Sequence, residues 1–248
     1  MSTKRTSFPY KCIKGLVRLF YPKTTVVGTE HLPQGEPCIV VGNHCQMHGP
    51  IACELYFPGV HCIWCAGEMM HLKEVPAYSF RDFWSQKPSW QRPFFKVLSY
   101  LIAPLSVCVF NNAGTVPVYH DTRLMTTFKD SLAKLQQGCS MVIFPEHDVA
   151  KNHILCEFQD KFVDIARLYW RKTGKELTFV PLYLAPDLHT MYLGEGIRFR
   201  SEAPLPEERQ RICDYLHEVI TKTACDLPPH IVVPYRNIPK KDYPRNRL

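Results

Sequence analysis

The chain has 248 residues, 46% hydrophobic and 21% charged, a balance that fits one folded domain with appendages and excludes a disordered or fibrous chain. A formal net charge of +7 suits a polyanion, so a membrane surface, acyl-CoA and nucleic acid all fit. The lack of an RNA-recognition signature, zinc-finger spacing or basic zipper argues against nucleic acid.

The chain opens on a polar stretch without an apolar core and cleavage site, which predicts no signal peptide. Residues 10–22 (YKCIKGLVRLFYP) place Ile13, Val17 and Phe20 on one helical face, with Lys11, Lys14 and Arg18 elsewhere. That pattern predicts a short amphipathic helix, able to lie on a bilayer or to pack on its own domain. TTVVG follows as a strand, and EHLPQGEP, with Pro and Gly at both ends, is a turn. Residues 38–41 (CIVV) form a short apolar run, expected as a central strand buried on both faces. Pro50 suits the first turn of the next helix, so His44 falls on a strand-to-helix connection. In open α/β sheets such connections line the ligand crevice.

VHCIWCAG is a further strand, and residues 69–93 show no clear period. The apolar stretch 94–110 is interrupted by Lys96 and Pro104, so no spanning helix is predicted there. It reads as a buried or interfacial helix followed by a strand over LSVCVF. GTVPVYH is a strand, 124–137 an amphipathic helix stopped by Gly138, and CSMVIFP a buried strand. Residues 158–172 have helical spacing, LTFVPLYLAP is a strand, and 206–226 is a helix with Glu207 and Glu208 in its first turn. Strands alternating with helices predict an α/β fold, a mixed, mostly parallel sheet flanked by helices. The expected organisation is a basic amphipathic segment (1–24), an α/β domain (25–228) and a basic, proline-rich extended tail (229–248).

Eleven cysteines lie singly in apolar runs, as small buried hydrophobes of a reduced, cytoplasmic protein. The Cys62–Cys65 spacing lies in a strand, whose alternation sends the two thiols to opposite faces, so it is structural rather than half a metal site.

Three constellations could carry chemistry. Asn43-His44 ends a strand, where a histidine can act as general base if a partner fixes its tautomer. Glu146, His147 and Asp148 follow another buried strand. His120 and Arg123 follow a third, and an arginine there could grip a phosphate.

The segment YPKTTVVGTEHLPQGEPCIVVGNH resembles the opening of the glycerol-3-phosphate and lysophosphatidate acyltransferase superfamily. The resemblance continues, in order, through Gly114–Val118, Phe144-Pro145-Glu146 and Val180-Pro181-Leu182, covering about residues 25–205. It implies acyl transfer from acyl-CoA or acyl carrier protein to a hydroxyl of a glycerolipid-like acceptor in phospholipid metabolism. The protein would then work peripherally at the inner face of the membrane, with no cofactor beyond the thioester donor. In the family the histidine deprotonates the acceptor hydroxyl, an aspartate five residues later orients it, and basic residues of the second and third blocks hold a phosphate. Here the aspartate position is Gly49, the second-block arginine position is His120, and the third block runs into His147-Asp148-Val149 instead of Gly-Thr-Arg.

Three readings follow. Asp148, or else Glu146, replaces the missing carboxylate beside a catalytic His44, with Asn43 supporting the turn and Arg123 and Lys151 gripping the acceptor. Alternatively the fold binds lipid or membrane without catalysis. In the third, His44, His48, His147, Asp148 and His153 hold a metal for hydrolysis, although His44 should precede the helix and no HExxH pattern is present.

Overall fold

The computed structural model describes residues 7–85, 87–119 and 121–247. In chain order the main elements are α1 (Phe8–Phe20), β1 (Thr25–Val27), β2 (Ile39–Gly42), α2 (His48–Tyr56), β3 (His61–Ala66), α3 (Val75–Ser79) and α4 (Arg92–Asn112). They continue as β4 (Thr115–Val118), α5 (Leu124–Gln136), β5 (Ser140–Ile143), β6 (Glu146–Ala150), β7 (Cys156–Phe158) and α6 (Asp164–Thr173). The last are β8 (Thr178–Ala185), β9 (Thr190–Leu193), β10 (Ile197–Arg198) and α7 (Leu205–Asp226). The chain divides into two compact units. One is Pro22–Ile63 with Phe128–Leu248, and the other is the segment up to Tyr21 with Trp64–Thr127.

The first unit carries the sheet. Its strands run in the order β1-β9-β8-β2-β5-β3, with β10 beside β8. The β1–β9, β2–β8, β2–β5 and β3–β5 pairs are parallel, and β8 pairs antiparallel with β9 and β10. This is the mixed, mostly parallel sheet expected from the alternation of elements. All four β2 residues are buried, as a central apolar strand requires. Helix α7 packs on β8, and the Phe162 and Phe179 rings meet edge to face beneath it.

Residues 158–172 are not one helix. Cys156–Phe158 instead closes a hairpin with β6, pairing Glu146 with Phe158 and Ala150 with Cys156. Helix α6 starts at Asp164, whose carboxylate takes two 2.6 Å hydrogen bonds from Arg209, and ends at Gly174 in the left-handed region. The residues after 229 fold back onto this unit. Ile231 and Arg245 form a β-bridge, and Asn246, 0% exposed, ties the segment down. Asn246 Oδ1 accepts the His230 N–H at 2.9 Å, and its amide donates to the Ala224 carbonyl at 2.7 Å.

In the second unit α4 is one continuous helix through Asn112, so LSVCVF is helical rather than a strand. Its β-branched residues favour a strand locally. The helix continues because Val107 and Phe110 pack on a core of Met69, Val75 and Ala103. Phe94, Val97, Leu101 and Leu105, at i, i+3 and i+4 spacings, form an exposed apolar stripe. By length and composition α4 could cross a membrane, which the interrupted sequence run did not suggest. Helix α1 packs beside α4 and exposes Phe8, Leu16, Leu19 and Phe20. Ser7 caps α1 through its side chain and is held by a hydrogen bond from its N–H to Asn112 Oδ1.

Candidate active site

The parallel strands β2 and β5 end side by side against β8, and Asn43, His44 and Glu146 lie just beyond those two ends, with Leu184 near the end of β8 beside Asn43. Asn43 joins the ends of β2 and β8. Its Oδ1 accepts the Leu184 N–H at 2.7 Å and its amide donates to the Leu184 carbonyl at 2.9 Å. The same amide also meets Cys45 Sγ at 2.9 Å, so both ends of the Asn43 side chain have partners in the loop and in β8. Cys45 and Gln46 then take φ of 48° and 54°, a left-handed double step that turns the chain into α2.

His44 is half-buried. Its ring lies edge-on to Phe144 at 5.4 Å and to Tyr235 at 5.7 Å. Nδ1 is buried and has no hydrogen-bond partner. Burial holds the imidazole pKa below its usual value, offset in part by the Gln46 and His44 carbonyls, neither of which makes a well-formed bond to Nδ1.

Glu146 is only 4% exposed, and both carboxylate oxygens accept main-chain N–H groups. Oε2 takes that of His44 at 2.6 Å, and Oε1 takes that of Cys156 at 2.9 Å. The carboxylate thus pins the His44 loop through its backbone and not through the ring. Burial pushes its pKa up to about 7 against the opposing pull of those two amides. Asp148, with its side chain 79% exposed, is paired with Arg236 of the C-terminal segment. Arg236 Nε lies 2.5 Å from Asp148 Oδ1, and its Nη2 donates to the Asp148 carbonyl at 2.6 Å.

Gly49 has no room for a side chain. A Cβ there would lie 2.5 Å from the His44 carbonyl oxygen and 2.9 Å from the Phe144 ring. The same carbonyl accepts the Gly49 N–H at 3.1 Å, so the loop has closed over the space a side chain needs.

The remaining candidates are placed as follows. Lys151 is ion-paired with Glu157 at 3.2 Å. Arg123 belongs to the other unit, where Asp121 and Glu74 both hold its guanidinium, 4.0 Å above the Tyr119 ring. Already neutralised by two carboxylates, it is a poor phosphate grip. His120 lies outside the described residues. His153 Nε2 donates to the Asn246 carbonyl at 3.2 Å. Among the described residues no three His, Cys, Asp or Glu side chains converge as a metal-binding group. Cys62 and Cys65 both lie in β3, and Cys62 meets Cys139 Sγ at 3.0 Å.

The residues that sequence reasoning missed are Tyr235, Arg236 and Gln46. The basic cluster near the C-terminus was visible, but nothing local tied it to His44.

Neither a family model nor a curated protein sequence matches the chain. Among solved structures it is similar to the 1-acyl-sn-glycerophosphate (LPA) acyltransferase PlsC from Thermotoga maritima. That likeness has a TM-score of 0.53 and 16% identity over 88% of this chain and 81% of that one. At this identity the likeness concerns the fold: the chain has an acyltransferase-like α/β fold.

Proposed function

We propose that this protein uses the acyltransferase-like fold to hold a glycerolipid-like molecule or an acyl thioester at an anionic membrane surface, with His44 as a contact to that ligand rather than as a working base. One observation carries this reading: among the described residues no carboxylate is hydrogen-bonded to the buried Nδ1 of His44. Glu146 is bound to main-chain amides, Asp148 to Arg236, and the Gly49 position is closed. A base must become an imidazolium as it takes the proton, and here that cation would form half-buried without a carboxylate bonded to its Nδ1. Replacing the orienting acid of a serine-protease triad by its amide costs about four orders of magnitude in rate. The exposed apolar faces of α1 and α4, with the basic residues of α1, support the membrane part.

The test uses the full chain with acyl-CoA and a panel of hydroxyl acceptors, reading thioester cleavage and ligand binding together. The expected result is lipid or thioester binding that survives His44→Ala, with cleavage at background. Cleavage that His44→Ala abolishes would overturn it.

That overturning outcome selects a second reading, acyl transfer to a glycerolipid-like hydroxyl in phospholipid metabolism. The free Nδ1 of His44 and the exposure of Asp148 favour it. If Arg236 let go, Asp148 would be available to orient the ring, and turnover would then depend on Asp148 as well as His44.

A further inference from the structure

The chain between His230 and Asn246 is clamped at its base and reaches the His44 loop at its tip. The base is closed by the Asn246 bonds, by the Ile231–Arg245 bridge and by the Val232 N–H donating to the Pro244 carbonyl at 2.9 Å. At the tip, Tyr235 packs against the His44 ring. Gln46, two residues beyond His44, donates from Nε2 to the Arg236 carbonyl at 3.3 Å and to the Tyr243 hydroxyl at 3.0 Å. Arg236 is thereby held at the mouth of the His44 site with its side chain 47% exposed.

We propose that this strap carries an anion-recognition site, in which Arg236 binds the phosphate of a ligand held at His44. This rests on the functional reading above and names the part of the ligand recognised. A guanidinium presents paired N–H donors that match two phosphate oxygens. Its present partner, the Asp148 carboxylate, is an exposed pair partner with a single charge, and such pairs are weakly held. A phosphate monoester carries up to twice that charge and offers one more oxygen, so it displaces Asp148 from Arg236. The phosphate can belong to the acceptor lipid or to coenzyme A.

Binding of lysophosphatidate, monoacylglycerol and coenzyme A to the full chain tests the proposal, with unfolding curves confirming that each variant is folded. Arg236→Gln should weaken the phosphate-bearing ligand about tenfold or more and leave monoacylglycerol unchanged. Asp148→Asn, which removes the competitor, should tighten the same ligand several-fold. The lysophosphatidate and coenzyme A arms show which molecule supplies the phosphate. Equal losses for monoacylglycerol and the phosphorylated ligands in Arg236→Gln would overturn the proposal, as would a loss in Asp148→Asn matching that in Arg236→Gln. Wild-type binding of monoacylglycerol without any preference for phosphate sinks this inference and leaves the functional reading standing. No binding of any of the three ligands sinks both.

Discussion

Gly49→Ala separates two opposed physical effects at the centre of the candidate site. Gly49 lies in the first turn of α2, where alanine is the better helix former by about 1 kcal/mol. Against this, the added Cβ falls 2.5 Å from a main-chain oxygen and 2.9 Å from an aromatic carbon. Carbon atoms pack favourably at about 3.5–4.0 Å, and the oxygen is backbone, which cannot swing aside as a side-chain tip can. Overpacking costs about 1–3 kcal/mol, and a 2.5 Å approach to a backbone oxygen belongs at the upper end, so after the helix gain of about 1 kcal/mol a net loss of about 2 kcal/mol remains. For a chain of this size that lowers Tm by about 4 °C, measurable by calorimetry or circular dichroism. Gly49→Asp adds the cost of a carboxylate in the same closed space, is expected to be less stable still, and does not restore thioester cleavage. A Gly49→Ala protein as stable as wild type, or a Gly49→Asp protein that turns over acyl-CoA in a His44-dependent way, would refute the claim that this position is sterically closed.

Glu146 ties stability to pH. Its folded pKa of about 7 stands above the unfolded value of 4.5, so ionisation is harder in the folded chain. Its contribution is therefore most favourable below pH 4.5 and is lost as pH rises to about 7, a swing of roughly 3 kcal/mol. Denaturant midpoints across that window should fall more steeply for wild type than for Glu146→Gln, and parallel curves would contradict the assignment. Asn43→Ala leaves the Leu184 N–H and carbonyl without their side-chain partner and should cost about 3 kcal/mol in urea unfolding. A double Leu19→Glu, Phe20→Glu substitution on the exposed face of α1 should reduce sedimentation with anionic vesicles while leaving the circular dichroism spectrum intact. Undiminished sedimentation would count against that face as the docking surface.

The sequence by itself determined the sheet and the place of His44. Short apolar runs bounded by Gly and Pro are local signals, and they located β2, β5 and β8 because a strand buried on both faces needs nothing else. Elements whose state depends on distant packing were misread. LSVCVF is helical because α4 continues over its own core, Cys156–Phe158 is a strand because β6 lies beside it, and the proline-rich tail is anchored by Asn246. Only the tertiary structure decided what each polar side chain at the site does. Glu146 and His44 are 102 residues apart, and whether that carboxylate meets an imidazole or a main-chain amide turns on side-chain placement that no spacing encodes. Asp148 and Arg236 are 88 residues apart, so their pairing follows from how the C-terminal segment folds back. The sequence thus fixes where a base could stand, because strand ends are set locally. The long-range fold sets its partners, because hydrogen bonds and ion pairs form between whatever groups packing brings within about 3 Å.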